Sequence, residues 1–546
     1  MNIFNIFKII KEYSKHFFLD QNEKNFIQFQ KKKWNLKKKL KNKKKDIILV
    51  ELFYWYPLII FYAFLVNVLS KKQNLEIRYF YFSNKFNRFL NFLIFNKLKK
   101  IYASFGCRNG VSIFDLNNNK RKYYEKLFYS FNFTKKTFLK FKRSNILIGD
   151  LIYDSYLSKY QDCTVRDIND EKLVSLFVEA NLIFDLLFNY FKKHNIKYII
   201  PSHCVYMQHT LASRISRNFN SKNIIVYCKG MATSNFSLKL LNKKKILFDY
   251  DYFDYKKKFN KFSKTKKIKA LKIGKKIITD RFKGKIDSSI PYMRVSGYKG
   301  YKKINSVFLK NSKKKIVLFS HDFFDEPHRY RNMIFNDFYE FVYKTAIFIS
   351  KLSDEFELYI KPHPNQLEGN DKFYLELKKQ FSNNKNIFFF NKDIDNNSII
   401  FSKPDIALTV HGTIAHELAY KNIITINAGD NPHVNYEFNL HPKNEKEYFA
   451  LIKNAKKKYK KIKFNKKRLY EFIYMHFYYH LNSFDREKLI KDEYFVSDYF
   501  YSNNKLVHKR GDNSILFKKY LKKEKDCLIS DNVEKYINNF IKQNKL

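Results

Sequence analysis

Three short polar segments in the second half of the chain have the residue types that hold an anionic leaving group. They are Ser320-His321-Asp322, followed by Asp325 and His328; Lys361-Pro362-His363-Pro364; and His411-Gly412-Thr413, followed by Glu417. Lys361 offers a compact charge to phosphate oxygens. His363 is fenced by two prolines, which fix the backbone on either side, so its ring is held ready to donate to a leaving phosphate. Gly412 lets a backbone approach a ligand closely. Thr413 can cap a helix or touch the ligand, and free N–H groups at a helix start suit phosphate. Glu417 falls one helical turn further on, where a carboxylate can hold ribose hydroxyls. The plainer reading is an ordinary turn with a capping threonine and a structural glutamate, and a lone histidine is more often structural than functional. Three such segments, each at the end of an apolar run, favour function.

The elements that must position these residues are legible as an alternation. Strands are expected at 316–320, 356–360, 387–390, 406–410 and 423–426, with helices at 337–352 and 375–381 between them. This is the grammar of an open parallel sheet, whose strand ends lie on one edge and can converge on one ligand. The first half repeats the pattern, with strands expected at 47–53, 76–82, 99–103, 198–201 and 224–228. A strong amphipathic helix is expected at 173–194, its apolar face carrying Phe177, Ala180, Leu182, Ile183, Leu186 and Leu187. The apolar stretch 47–69 is interrupted by Glu51 and Pro57 and reads as strand, turn and amphipathic helix rather than a membrane span. The polar, lysine-rich stretch 305–315 marks a boundary. The expected organisation is a basic arm (1–45), a first Rossmann-like domain (46–304), a second (305–465) with a cleft between the two, and a helical C-terminal extension (466–546).

A net charge of +55 over 546 residues first suggests nucleic acid or an anionic membrane. Lysine is spread through every region, however, and Gly and Pro number only 12 and 9, the composition that AT-rich codons produce. No nucleic-acid-binding motif accompanies the charge, so nucleic acid is not an expected partner. The five cysteines show no CxxC spacing, which excludes a disulfide framework and a structural zinc site and fits a reducing cytoplasm. The start of the chain has no signal-peptide pattern. Lys31 to Lys45, broken by Trp34, Leu36 and Leu40, reads as a solvated basic face; the sharper alternative is a peripheral anchor at a lipid interface.

The segments Lys361-Pro362-His363-Pro364 and His411-Gly412-Thr413 with Glu417 resemble those of the bacterial capsule polysaccharide biosynthesis and related surface-carbohydrate glycosyltransferases. So do Ser320-His321-Asp322-Phe323-Phe324-Asp325, Phe335-Asn336-Asp337-Phe338-Tyr339, Gly149-Asp150-Leu151-Ile152-Tyr153-Asp154 and Ser202-His203-Cys204-Val205-Tyr206. Their order and spacing carry the resemblance, patchily, from about residue 145 to 435. The family implies an α/β GT-B fold in which the first domain takes the acceptor and the second holds a nucleotide-sugar donor. By resemblance His363 contacts the donor phosphate, His411, Gly412 and Thr413 cradle it, and Glu417 binds ribose; Ser320, His321 and Lys361 complete the donor set. A CMP-linked acidic sugar is the first donor to test. Inversion at the sugar requires a base on the acceptor side. Asp154 and Asp150 are candidates, beside a probable strand end, with a helix cap or a salt bridge as the plainer reading; His203 is a third.

These expectations carry no cofactor beyond the nucleotide-sugar co-substrate and no metal. The expected acceptor is a growing polysaccharide or a lipid-linked glycan, met at the inner face of the cytoplasmic membrane. Two other readings compete. His321, Asp322, Asp325, His328, His363 and His411 are the ligand types of a two-metal phosphohydrolase, and the pairs Asp249-Tyr250-Asp251 and Asp393-Ile394-Asp395 can hold a divalent ion or stand as solvated turns. A non-catalytic polysaccharide- or membrane-binding component is the other.

Overall fold

In the computed structural model the described residues are 17–34, 46–83, 87–228, 236–241, 252–285, 296–299, 306–367, 369–459, 465–479, 514–524 and 530–546. Asp249-Tyr250-Asp251 and residues 1–16 and 35–45 of the basic arm lie outside them.

The arm's described part, Gln21–Trp34 (α1), is not an appendage. Phe26 and Trp34 are buried in the same apolar cluster as the first domain's core. Ile47–Glu51 (β1) is buried at all five positions, as a strand covered on both faces must be. Tyr56–Gln73 (α2) follows, with Pro57 in its first turn and Asn74 closing it in the left-handed region at φ 53°. Every residue from Tyr56 to Leu69 is buried, so α2 is apolar all round rather than amphipathic. Its outer side is covered by helices from both chain ends. Then come Glu76–Tyr81 (β2), Arg88–Ala103 (α3) and Asn109–Ser112 (β3). Residues 99–103, expected as a strand, are the last turns of α3: Ile94, Phe95, Leu98, Ile101 and Tyr102 recur at helical spacing and are buried together, a period that a five-residue window hides.

Gly149–Tyr160 (α4) begins where Gly149 packs on the backbone of Phe138; an added Cβ would stand 1.8 Å from the Phe138 carbonyl oxygen. Asp150 and Asp154 lie on this helix, which starts just after the short strand Ile146–Leu147. Glu171–Lys193 (α5) is the one described helix long and apolar enough to cross a membrane, and most of its apolar surface is packed in the core. Ile196–Ile200 (β4), Met207–Ile215 (α6), Lys222–Cys228 (β5) and Phe236–Leu241 (β6) complete the first sheet. Its order is β3-β2-β1-β4-β5-β6, parallel except for β6 against β5. This is a doubly wound sheet whose order reverses between β1 and β4.

Lys264–Phe282 (α7) belongs to the second unit, which moves the boundary from 304/305 to before Tyr252. Ala270, Ile278 and Phe282 share one cluster with Val317, Phe319 and Tyr359 of the second sheet. The lysine-rich stretch that suggested a linker is a loop leading into that sheet. Lys314–Phe319 (β7), Phe338–Ser350 (α8), Phe356–Lys361 (β8), Asp371–Gln380 (α9), Ile387–Phe389 (β9), Asn396–Phe401 (α10), Ile406–Thr409 (β10), Ile414–Tyr420 (α11) and Thr425–Asn427 (β11) follow. The order β9-β8-β7-β10-β11 is parallel throughout and reverses between β7 and β10. Lys466–Tyr474 (α12) packs on α7, where a Cβ on Gly274 would stand 2.1 Å from the Tyr470 carbonyl oxygen. Ile515–Glu524 (α13) and Ser530–Gln543 (α14) cross back to cover α2.

The two Rossmann-like units meet along α4 and α8. The hydroxyls of Tyr153 and Thr164 each donate to Asp337 at 2.6 Å, and Lys135–Glu340 (3.0 Å) and Arg166–Glu376 (2.6 Å) bridge the same seam.

Candidate functional site

At the second sheet's edge, Lys361 ends β8 with 1% of its surface exposed, and its ammonium donates to the Pro362 carbonyl at 3.4 Å. Burial pulls its pKa down to about 8, against the charges of Asp393 and Asp395 and with that of Lys299. Among the described residues no carboxylate stands within ion-pair distance of that ammonium; Asp393 and Asp395 attract it from further off. The His363 Nδ1 accepts the Asn365 N–H at 3.2 Å, so the neutral ring carries its proton on Nε2. Burial, then Lys361 and Arg281, lower its pKa to about 4.

Arg281, at the end of α7, is a site residue that the sequence reading missed, one cation among many lysines. Its Nε donates to Glu417 and its Nη2 reaches the Thr413 hydroxyl at 3.3 Å. Tyr298, also missed, donates to the other Glu417 oxygen. Glu417 is fully buried. Its carboxylate, expected on ribose, is committed to Arg281 and Tyr298 and positions the guanidinium beside Thr413.

The His-Gly-Thr turn is fastened from within. The His321 Nε2 accepts from the amides of Val410 and His411 and from the Thr409 hydroxyl, each at 3.3 Å. Those two amides are turned toward His321, while the expected cradle also draws on Gly412, Thr413 and the helix start at Ile414. Burial, then His411 and His363, hold His321 neutral, and its ring stacks on Phe338 at 4.5 Å. A Cβ on Gly412 would stand 3.2 Å from Thr409 Oγ1 and 3.3 Å from His321 Cε1, so those side chains would have to give by a few tenths of an ångström. His411 packs on Tyr330 at 4.7 Å, and burial drops its pKa to about 3. Its buried Nδ1 has no hydrogen-bond partner among the described residues. Ser320, expected in the donor set, bonds the Lys361 carbonyl at 3.0 Å and the Tyr374 hydroxyl, tying β7 to its neighbours.

Asp322 accepts from the amides of Leu367 (2.6 Å) and Phe324 (3.1 Å) and from Asn370 (3.1 Å), a loop fastener. Asp395 caps α10 and accepts the Lys299 amide at 3.1 Å. Among the described residues no three His, Cys, Asp or Glu side chains converge as metal ligands, so the residues of the two-metal reading do not assemble into its site.

On the first domain's side, Asp150 is held by both Arg214 nitrogens, at 2.6 and 2.8 Å, and is no free base. Asp154 is 3% exposed and takes the His328 ring Nδ1 at 2.5 Å and its amide at 3.2 Å, clasping the second domain instead of facing the cleft. At the point where the first sheet reverses, Glu51 ends β1. One of its oxygens accepts the Ser202 amide at 2.6 Å and the other meets His209 Nδ1. His203 is exposed beside them, its ring 5.0 Å from both Phe53 and His209.

No family model matches the chain, and no curated protein does. Solved structures do. The Thermosulfurimonas dismutans KpsC beta Kdo 2,4 transferase is 12% identical with a TM-score of 0.33, over 51% of this chain and 79% of that one. A glycosyltransferase from Rickettsia africae is 12% identical with a TM-score of 0.23, over 88% and 100%. The Methanocaldococcus jannaschii UDP-GlcNAc 2-epimerase in complex with UDP-GlcNAc and UDP is 11% identical with a TM-score of 0.23, over 79% and 99%. At these values the likeness carries no functional weight, and the two doubly wound sheets stand on their own strand order. The chain is thus similar to glycosyltransferases and a nucleotide-sugar epimerase, and its chemistry must be argued from its own residues.

Proposed function

We propose that the protein is a glycosyltransferase that holds a nucleotide-sugar donor on its second domain and transfers the sugar to a surface-polysaccharide or lipid-linked acceptor. The observation that carries this reading is Lys361: a buried ammonium with one weak hydrogen bond and no ion pair among the described residues, at the carboxyl edge of the second sheet one strand from where its order reverses, with His363 beside it and Arg281 acting on His363. Parallel sheets bind their ligands at that edge. As the bond from sugar to phosphate breaks, negative charge grows on the nucleotide. Lys361 and Arg281 stabilise it, and the His363 Nε2–H donates to it. These groups do a cation's work, so no resident metal is required. A CMP-linked acidic sugar is the first donor to test.

The test is turnover. Release of nucleotide from CMP-, UDP- and GDP-linked sugars by the full-length protein, treated exhaustively with EDTA, should proceed with one class. Activity lost to EDTA and restored by a divalent ion would reject metal independence, and no turnover of any donor would reject the transferase reading. A lipid-linked acceptor would bring the protein to the anionic inner face of the cytoplasmic membrane, a surface that suits a net charge of +55 even where that charge is spread through every region. Pelleting with anionic vesicles at low salt and release at high salt is the expected outcome.

A further inference from the structure

The first sheet reverses between β1 and β4, and the polar residues at that point are not used by the donor site. Glu51 is 3% exposed and doubly held, by the Ser202 amide at 2.6 Å and by His209 Nδ1. A carboxylate on one imidazole nitrogen fixes the ring's orientation and leaves the other nitrogen as the basic one. His209 keeps 9% of its side chain exposed, and its Nε2 has no hydrogen bond among the described residues. The ring is walled by aromatic groups, Phe53 edge-on at 5.6 Å and His203 at 5.0 Å, with Tyr54 and Trp55 half-buried in the same loop. Tyr206, in the turn that carries Ser202 and His203, lies close to the second domain: burial first, then the charges of Glu326 and Asp325, push its phenol up. The next residue, Met207, donates its amide to Ser155 at 2.9 Å on α4, beside the Asp154 that takes His328 of the second unit at 2.5 Å, so the cluster stands on the side of the first sheet that faces that unit.

Resting on the transferase reading, we propose that this cluster is the acceptor site, taking a sugar hydroxyl whose proton passes to His209 Nε2, with Glu51 as the positioning residue and Phe53 and His203 as the wall against which the sugar ring packs. The balance is simple. The acceptor oxygen bonds the donor's anomeric carbon, and its proton goes to His209. The bond from that carbon to phosphate breaks with its electron pair, which leaves on the nucleotide. The imidazolium then returns its proton to water. Asp154 and Asp150, both committed to partners, are relieved of the role of base.

The test uses full-length protein with the nucleotide-sugar that turns over best, octyl glycosides as acceptor probes, and the thermal shift given by the free nucleotide as a second reading. His209→Ala should lower kcat by about 100-fold or more, the scale of a lost general base, while the nucleotide shift stays at the wild-type value. Added imidazole should restore part of the rate. Glu51→Gln should lower kcat less with the donor KM unchanged, and Phe53→Ala should raise the acceptor KM. Should His209→Ala fail to fold, His209→Gln retains the bulk and a donor toward Glu51. Wild-type kcat in whichever variant folds overturns the proposal, as does loss of rate together with loss of the nucleotide shift. If the wild-type protein turns over no donor, the transferase reading falls and takes this proposal with it. If it turns over a donor and the His209 variants do so equally, only the acceptor site is wrong.

Discussion

Lys361 carries its charge below about pH 8 and loses it above. Because that value lies below a free lysine's, burying the ammonium costs stability at neutral pH, and the cost lifts as pH rises from about 8 toward a free lysine's value. Anion binding has the opposite need, a charged lysine. Nucleotide affinity should therefore weaken about tenfold between pH 7 and pH 9, measured by calorimetry, and a Lys361→Met variant should show no such slope. Glu417→Ala removes the partner of Arg281 and Tyr298, so it should destabilise the fold by about 3–5 kcal/mol in denaturant titration, while Glu417→Gln, which keeps an acceptor, should lose less. The sequence marked Lys361, His363 and Glu417 by their place after apolar runs. It assigned Glu417 to ribose because spacing reveals position but not partners, and Arg281 and Tyr298 lie more than a hundred residues away. Glu51 and His209 were invisible for the same reason: one ends a buried strand, the other sits inside a helix, and only folding brings them together.

At the scale of elements, periodicity recovered β1, α5 and the strands of the second sheet. It failed for residues 99–103, where the helical period needs a longer window, and the boundary read from the lysine-rich stretch 305–315 put α7 in the first domain, because a polar run does not say which sheet the preceding helix will cover. The arm is the instructive case. Lys31 and Lys32 do face solvent, but the other side of the same helix is packed: the Glu23 carboxylate is buried against the Lys97 ammonium at 2.8 Å and accepts from the Tyr56 hydroxyl. Burial raises the Glu23 pKa, and Lys97, 2% exposed, has its charge met there. Deleting residues 1–34 should thus unfold rather than merely trim the first domain. The cost is about 3–5 kcal/mol for the stranded ion, plus about 1.5–3 kcal/mol for each large apolar side chain withdrawn from α2. Equal stability of the truncated and full-length proteins in urea would show the arm to be detachable. The clasp between domains is pH-sensitive. Burial opposes a charged His328, yet Asp154, Asp150 and Asp337 outweigh it and raise its pKa above 6.5; burial raises Asp154 as well. The charge-dependent part of this clasp is then fully present below pH 6.5 and lost as pH rises through the raised value. The stability gap between wild type and His328→Ala should narrow from pH 6 to pH 9.

At the scale of the whole molecule, two sheets with the same inner strand order bring their reversal points toward one seam, through Tyr206 on one side and the loop after β7 on the other. The second sheet's edge carries cations; the first sheet's carries a carboxylate-held histidine among aromatic rings. Helices from both chain ends, α1, α13 and α14, pack in the first domain's core with α2. The central claim is that the second domain's edge binds the phosphate of a nucleotide. Calorimetric titration of the full-length protein with CMP, CDP, UDP and GDP, repeated on Lys361→Met and His363→Ala, tests it most directly. One nucleotide should bind at one site per chain, and each substitution should weaken it about tenfold, or roughly 1.4 kcal/mol, with the circular dichroism unchanged. Binding of none of the four, or equal binding by both variants, would contradict the account.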